Sequence, residues 1–390
     1  MLSKLAPLLV TSIIWFAIGW FVKDIWVGQS SVNSLTPEQA LVAKAQLLLQ
    51  QRYLPSPTVQ TQQPITDALV DAAIGGMLAW GGDRYADLYG PAATKRYLAG
   101  FEENIGITDV RFDIIEGQMV IRDVPPDGAA AAAGLKTGDI LLAVDDEAFH
   151  SYIGGYEAGI LLRGPVDSTF RLTIQRGDER LTLPVKRQRW DYLASEMLAG
   201  DIGYLKTEFF FLHQTTTAVE EILQEFQKQG VQALIWDLRN SGGGATDPVQ
   251  EIVSFFRHKN DSLFLAEFKD GTQVEFRAKE GELLATLPIA VLIDHGTFSA
   301  SEMAAAAMVP RAKTILIGEA TAGKGTIQDT VMLDESHLLH FTIAKWLTPT
   351  KEWLEGRGVE PMVDALDDPA TPEDEVIALA VDYLQQQIGK

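Results

Sequence analysis

IAVLIDHGTFSASEMAAAAMVPRAKTILIGEATAGKGTIQDTVML, residues 289–333, decides the architecture of this 390-residue chain. Five apolar residues, Ile289 to Ile293, read as a buried strand. A short loop, Asp294 to Phe298, follows. Ser299-Ala300-Ser301-Glu302 then opens an Ala-rich helical run that Pro310 closes. A second buried strand, Thr314 to Ile317, runs into a Gly-rich loop carrying Lys324 between Gly323 and Gly325. Two loops thus leave the same ends of two strands expected to be parallel. One presents serines at a helix N-terminus, and the other presents a lysine.

A hydroxyl becomes a useful nucleophile when a neighbouring base takes its proton. A lysine can be that base if burial lowers its pKa toward neutrality. Lys324 sits among Gly, Ala and Thr with no acid immediately beside it, which fits an apolar pocket. The helix N-terminus adds free backbone N–H groups suited to a developing oxyanion. Blander readings stand beside this one. Ser299-x-x-Glu302 is also a capping box, which needs no catalysis. Gly318-x4-Gly323-Lys324 approaches a phosphate loop, but Gly325 stands where Ser or Thr belongs, and TIQDTVML reads as a strand where a helix should follow. His295 beside Asp294 offers a rival triad with Ser299, but neighbours on one short loop rarely reach across a site as an imidazole base must. His150, His213, His258, His337 and His340 read as surface or packing residues.

The segment resembles the carboxy-terminal processing (tail-specific) proteases. Ser299-Ala300-Ser301-Glu302 matches one family motif. Gly318-Glu319-Ala320-Thr321-Ala322-Gly323-Lys324-Gly325-Thr326-Ile327-Gln328 matches another, in order and in register. The resemblance implies that Ser299 is the nucleophile, Lys324 the general base and Gln328 the residue assisting the lysine. Arg239-Asn240-Ser241-Gly242-Gly243-Gly244, after the buried run Ala233 to Leu238, is similar to a further family motif, with Ser241 and Gly242 in place of Asn-Pro. By the same resemblance the oxyanion hole is the backbone N–H of Gly243, in preference to Gly244, with that of Ala300. Pro310 stands where the family often has an acid late in the helix.

Thirty-two basic against 53 acidic residues give a net charge of −21, which argues against nucleic acid and against a basic grip on anionic membranes. There is no cysteine, so no disulfide, thiolate metal site or cysteine nucleophile. No His/Asp/Glu spacing points to a metal, and no cofactor is expected. Leu5 to Val22 carry no charge and are flanked by Lys4 and by Lys23-Asp24, with Trp20 and Trp26 suited to an interfacial belt. The expectation is an uncleaved signal anchor over 1–28 with the bulk of the protein outside the cytoplasm, the alternative being a cleaved signal.

Residues 29–104 read as a linker and a helical subdomain, with helical runs at Pro37 to Gln51 and Thr66 to Trp80. Gly82-Asp83-Arg84-Tyr85 resembles a family segment, and packing is its preferred reading. Residues 105–188 look like a PDZ domain, on the strength of Ala133-Gly134-Leu135-Lys136-Thr137-Gly138-Asp139-Ile140-Leu141-Leu142-Ala143-Val144-Asp145 and a hairpin from Phe170 to Val185. A PDZ domain adds an extended peptide as a strand and holds its terminal carboxylate on loop N–H groups. Here that loop is expected near Asn104 to Ile107, with Gly106 as the substrate-binding position. The alternative is a PDZ domain that only packs on the core.

Residues 189–368 form the expected serine protease core, and 369–390 a C-terminal helix. The fold class is α/β, implied by the resemblance to be a crotonase-like protease core with an inserted β-rich PDZ domain and an N-terminal helical segment. The function so implied is a membrane-anchored serine endopeptidase of the C-terminal processing type. Its expected partners are protein or peptide substrates, especially C-terminal tails, and the membrane through the N-terminal helix. A catalytically inactive PDZ peptide-binding scaffold is the alternative.

Overall fold

The computed structural model describes residues 37–52, 65–99, 105–115, 118–145, 147–148, 159, 162–189, 191–211, 214–368, 371 and 373–388. The chain divides into two compact units, Met1–Trp80 and Gly81–Lys390. The first contains helix α1 (Pro37–Arg52) and nearly all of α2 (Ile65–Gly81), close to the two helical runs read from sequence. The expected signal anchor lies outside the described residues. Among the described residues, no helix is long and apolar enough to cross a membrane.

The second unit opens with β1 (Asp87–Tyr89) and α3 (Pro91–Ala99), whose first residue is a proline, as a free first-turn N–H allows. Next come β2 (Ile105–Ile107), β3 (Arg111–Ile115), β4 (Gln118–Asp123), the short α4 (Ala129–Ala132), β5 (Ile140–Val144), β6 (Glu147–Ala148), β7 (Gly164–Pro165), β8 (Thr169–Arg176), β9 (Glu179–Lys186) and β10 (Gln188–Arg189). Strands β3-β4-β5-β8-β9 form an antiparallel sheet with β6 on β5, packed around Ile121, Leu135, Leu141, Phe170, Leu172 and Ile174. Gly134 ends α4 at φ +86°, and the Leu135 N–H closes the turn on the Ala130 carbonyl at 3.1 Å. Gly177 and Asp178 turn β8 into β9.

One expectation needs correction here. Gly106 lies in a strand, not a loop. β2 is the middle strand of the small sheet β10-β2-β7, with Gly106 opposite Arg189 on one side and Gly164 on the other. A central strand directs backbone groups into the ladders on both of its sides. A Cβ at Gly106 would meet Arg187 Cβ and Val166 Cα at 3.0 Å, so the glycine answers a close approach within the sheet. Asn104 lies outside the described residues.

The remaining chain builds two facing sheets. β11 (Leu193–Leu198), β12 (Ile202–Thr207), α5 (Gln214–Lys228), β13 (Ala233–Asp237), α6 (Thr246–Ser254), β14 (Ser262–Phe268), β15 (Gln273–Arg277), β16 (Ile289–Ile293), α7 (Ala300–Met308), β17 (Thr314–Gly318), β18 (Thr326–Met332), β19 (Leu338–Leu347), β20 (Val363–Asp364) and α8 (Glu375–Gln387) follow in order. One sheet runs β11-β12-β13-β16-β17-β20, parallel from β12 to β20 with β11 antiparallel at its edge. The other runs β1-β19-β14-β15, with β18 also on β19.

Strand alternation sends the two halves of each buried strand to different cores. Leu234, Trp236, Ile289, Val291, Ile293 and Leu316 join α5, α6, α7 and the second sheet around Phe256, Phe264 and Trp346. Ala233, Ile235, Ala290, Leu292, Ile315 and Ile317 face α8 through Val376, Ala380 and Leu384. Every residue of α7 is buried, which explains its run of alanines: small side chains let a helix lie between close-packed neighbours. Helix α6 has no counterpart in the sequence reading, although Val249, Ile252 and Val253 carry its apolar face.

Candidate active site

The parallel strands β16 and β17 end side by side, with Ile293 opposite Gly318. From Ile293 the chain turns through Asp294–Phe298 to Ser299, whose φ of 55° and ψ of −117° are rarely adopted by a residue with a side chain. Such a conformation persists only where its surroundings hold it. The Ser299 N–H donates to Glu302 Oε2 at 2.8 Å, and the preceding Phe298 N–H to the Ser241 carbonyl at 2.9 Å. From Gly318 the second loop starts at φ +130°. A Cβ there would stand 2.0 Å from the Ile293 carbonyl oxygen, so only glycine fits.

The two loops meet at one lysine. Lys324 Nζ lies 3.2 Å from Ser299 Oγ, and it donates a short hydrogen bond to Gln328 Oε1. The Gln328 amide is oriented from its other end, where Nε2 donates to Thr326 Oγ1 at 2.9 Å and Thr342 Oγ1 at 3.0 Å. Two hydroxyl acceptors on the amide nitrogen leave the carbonyl oxygen for the lysine. The Lys324 carbonyl accepts from Trp346 Nε1 at 2.7 Å, which pins the backbone beneath the side chain. Burial pushes the Lys324 amine down to about 8 from its ordinary 10.5, against the opposing charges of Glu302, Glu355 and Asp83 and with help from Arg84.

Glu302 joins the loops. Its Oε1 accepts from Thr321 Oγ1 at 2.6 Å and the Gly323 N–H at 2.7 Å. Its Oε2 accepts from the N–H groups of Lys324 and Ser299, both at 2.8 Å. Burial raises the Glu302 pKa, and these donors oppose the rise. The capping-box pattern therefore reaches beyond its own helix, into the lysine loop. Ser301 turns the other way, its Oγ lying 2.7 Å from Ser241 Oγ in a fully buried pocket. Of the two serines in the motif, Ser299 is the one beside the lysine.

The two expected backbone donors lie on α7 and on the loop after β13. Ala300 is the first residue of α7, where an N–H has no partner in its own helix. Gly243, at φ +85°, packs directly against the serine: a Cβ on it would meet the Phe298 oxygen at 2.6 Å and both Ala300 N and Ser299 Cβ at 3.0 Å. Its carbonyl accepts the Phe210 N–H at 2.8 Å, and the neighbouring Gly242 N–H donates to the Glu208 carbonyl at 3.0 Å, so this loop is fastened to 208–210. Gly244 instead faces Phe210, whose oxygen would lie 2.4 Å from its Cβ.

The structure thus brings Ser299, Lys324, Gln328, Gly243 and Ala300 together and leaves Gly106 in another sheet. His295 points to Glu319 at 3.7 Å and is more than half exposed. The Asp294 carboxylate accepts from the N–H groups of Asn240 at 2.9 Å and Gly296 at 3.0 Å, so the pair builds loops and not a triad. Among the described residues, no group of His, Cys, Asp or Glu could hold a metal ion. Sequence reasoning missed two contributors: the bridging carboxylate of Glu302, and Tyr85, whose ring centroid is 4.9 Å from Lys324 Nζ. Tyr85 lies in the Gly82–Tyr85 segment, so the signal was present and its chemistry was not.

Residues 201–365 match peptidase family S41, and residues 120–176 match a PDZ domain. The chain is similar to the carboxy-terminal processing protease CtpA of Bacillus subtilis (strain 168), at 30% identity over 312 residues that cover 78% of this chain and 65% of that protein. It is similar to the chloroplastic C-terminal processing peptidase of Tetradesmus obliquus, at 29% identity over 302 residues that cover 73% of this chain and 64% of that one. The chain therefore spans just under two thirds of the length of these curated relatives. Among solved structures, the photosystem II D1 C-terminal processing protease superposes with a TM-score of 0.63 at 25% identity, covering 91% of this chain and 98% of that one. An S41 protease from Bacteroides fragilis NCTC 9343 shares the fold with a TM-score of 0.52 at 17% identity, covering 91% and 99%.

Proposed function

We propose, from the match of residues 201–365 to peptidase family S41 and of residues 120–176 to a PDZ domain, that this chain is a serine endopeptidase that cleaves proteins near their C-termini with a Ser299–Lys324 dyad. The observation that carries the proposal is the 3.2 Å approach of a buried lysine amine to a serine held in a strained turn.

The chemistry follows from the geometry. Lys324, uncharged, takes the Ser299 proton as Oγ attacks the substrate carbonyl. The negative charge that develops on the carbonyl oxygen is met by the N–H groups of Gly243 and Ala300 at the positive end of α7. The lysine ammonium returns its proton to the departing amine, which leaves an acyl-enzyme on Ser299. Water, deprotonated by the same amine, attacks the acyl carbon, and collapse frees the new C-terminus and restores the serine. Gln328 aims the lysine throughout.

Protein substrates reach the site by way of the PDZ domain in this reading. One contact supports it: Arg122 Nη2, at the end of β4, lies 3.5 Å from Asn240 Oδ1, three residues before Gly243. A substrate tail bound on the PDZ sheet would act on the same loop. Anchoring in a membrane, with the enzyme outside the cytoplasm, rests on the uncharged Leu5–Val22 run.

The test is a comparison of C-termini by mass spectrometry after incubating tailed proteins with wild type or Ser299→Ala. New C-termini are expected with wild type alone. Cleavage that persists in Ser299→Ala removes the dyad. Wild type that binds tails but never cuts them identifies a peptide-binding scaffold.

A further inference from the structure

The stretch Gly82–Tyr85 leads into β1 and lies across the lysine loop. Asp83 fastens it: Oδ2 accepts the Thr342 N–H at 2.9 Å and Oδ1 accepts the Tyr85 N–H at 3.0 Å. Arg84 Nη2 pairs with Glu355 Oε1 at 2.8 Å, and Glu355 Oε2 accepts the N–H of Gly325, the residue after the lysine, at 2.7 Å. Between these fastenings the Tyr85 ring centroid lies 4.9 Å from Lys324 Nζ, and the Phe298 ring centroid lies 5.6 Å from it. The two rings meet edge to face at 6.2 Å. The amine therefore has Ser299 and Gln328 as polar partners and aromatic surface beside them.

We propose that Tyr85 is a positioning residue for the dyad: its ring, latched over the lysine by Asp83 and Arg84, excludes water from the amine and keeps it aimed at Ser299. This rests on the serine–lysine reading above and extends it to a segment 214 residues before the nucleophile in sequence (299 − 85).

Two effects of the ring oppose each other. Its face attracts an ammonium, which favours the charged, inactive form. Its bulk displaces water, which favours the neutral form. Burial is the largest cause of the downward displacement of Lys324, and the Tyr85 ring, its centroid 4.9 Å from the amine, is one wall of that burial. The other charged and titratable groups facing the amine are Glu302 on α7, Glu355, Asp83, Arg84 and His340 on β19. Three of them are carboxylates, which favour the ammonium. Apart from the dry wall, Arg84 is the group that favours the neutral amine, against three carboxylates.

The test uses the full chain and three substitutions, Tyr85→Ala, Tyr85→Leu and Tyr85→Phe. The first readout is the pH midpoint of the Lys324 Cε resonance in protein labelled with 13C-lysine, assigned by its loss in Lys324→Met. The second is the acid limb of kcat/KM on a cleaved tail. Tyr85→Ala is expected to move both midpoints upward by about one pH unit or more, with activity at pH 7 falling tenfold for each unit and returning in alkaline buffer. KM should change little. Tyr85→Phe, which keeps the ring, should keep the wild-type midpoint. Tyr85→Leu preserves apolar bulk, so it keeps the test open if alanine unfolds the segment, and should give a midpoint between them. An unmoved Lys324 midpoint in Tyr85→Ala or Tyr85→Leu overturns the proposal. If activity then falls through KM, the ring is a substrate contact. If it does not fall, the ring is packing. The titration needs no turnover, so a wild type that cuts nothing would refute the protease reading while the role of Tyr85 was still decided.

Discussion

At the scale of single residues, Glu302 has the most to lose. Each of its carboxylate oxygens accepts two hydrogen bonds, from Thr321 and Gly323 on one and from Lys324 and Ser299 on the other. Alanine would leave four donors facing a hole, and a buried unsatisfied donor costs about 1–3 kcal/mol. Glu302→Ala is therefore expected to destabilise by on the order of 4 kcal/mol, measurable by urea unfolding. Glu302→Gln is subtler. An amide keeps only one acceptor oxygen, so the loops loosen and kcat should fall about tenfold or more. It also removes an anion that favours the Lys324 ammonium. The lysine midpoint should then move below about 8, opposite in sign to the shift expected for Tyr85→Ala. A midpoint that rises in Glu302→Gln would contradict the assigned electrostatics.

Among the elements, the lysine loop between β17 and β18 owes its path to close backbone contacts. A Cβ at Gly325 would stand 2.6 Å from Trp353 Nε1 and 2.7 Å from the Glu355 N. The second of these is backbone and cannot swing aside. Gly325→Ala must therefore displace the loop next to Lys324. Misplacement by about 1 Å can cost roughly a hundredfold in rate. The expected outcome is a kcat lowered by about two orders of magnitude with KM nearly unchanged and folding intact by circular dichroism. A wild-type kcat would mean that the loop absorbs the methyl group elsewhere. The same logic of backbone approach explains Gly318 against Ile293, where the two strand ends must meet for serine and lysine to do so.

Across the whole molecule, the C-terminal helix α8 is tied to the strand that precedes the Gly242–Gly244 loop. Arg239 donates to Asp237 Oδ2 at 2.7 Å and to Asp374 Oδ2 at 2.8 Å, and Asp374 caps α8 by accepting the Val376 and Ile377 N–H groups. Burial pushes the Asp374 carboxyl up, but Arg239 and the two cap bonds outweigh it and leave the group below its ordinary 3.8. A lowered carboxyl stabilises the fold above its unfolded pKa and ceases to do so as pH falls through its folded value. Asp374→Ala should cost about 2 kcal/mol at pH 7, the sum of a lost cap and a partly buried ion pair. The difference from wild type should shrink as pH drops below 3.8. Urea unfolding across that range measures it, and a deficit that stays constant in acid would show the carboxylate's charge to be irrelevant.

The sequence alone determined the strand–helix–strand–loop order around Ser299 and Lys324. Local rules suffice for that: five apolar residues in a row, alanines closed by Pro310, and glycines around a lysine. It also picked out the Gly-rich turn at Gly243 and the hairpin at Gly177, because a positive φ leaves a mark in composition. Only the tertiary structure decided which atoms meet. Gly106 looked like a loop glycine until β7 and β10 closed on it from either side. Glu302 looked like a cap for its own helix until Thr321, Gly323 and Lys324 arrived from the next strand. Tyr85 lies far from Lys324 along the chain, and only folding places its ring on the amine. A residue's conformation leaves a local trace in sequence, whereas dryness and proximity are made by several distant segments at once.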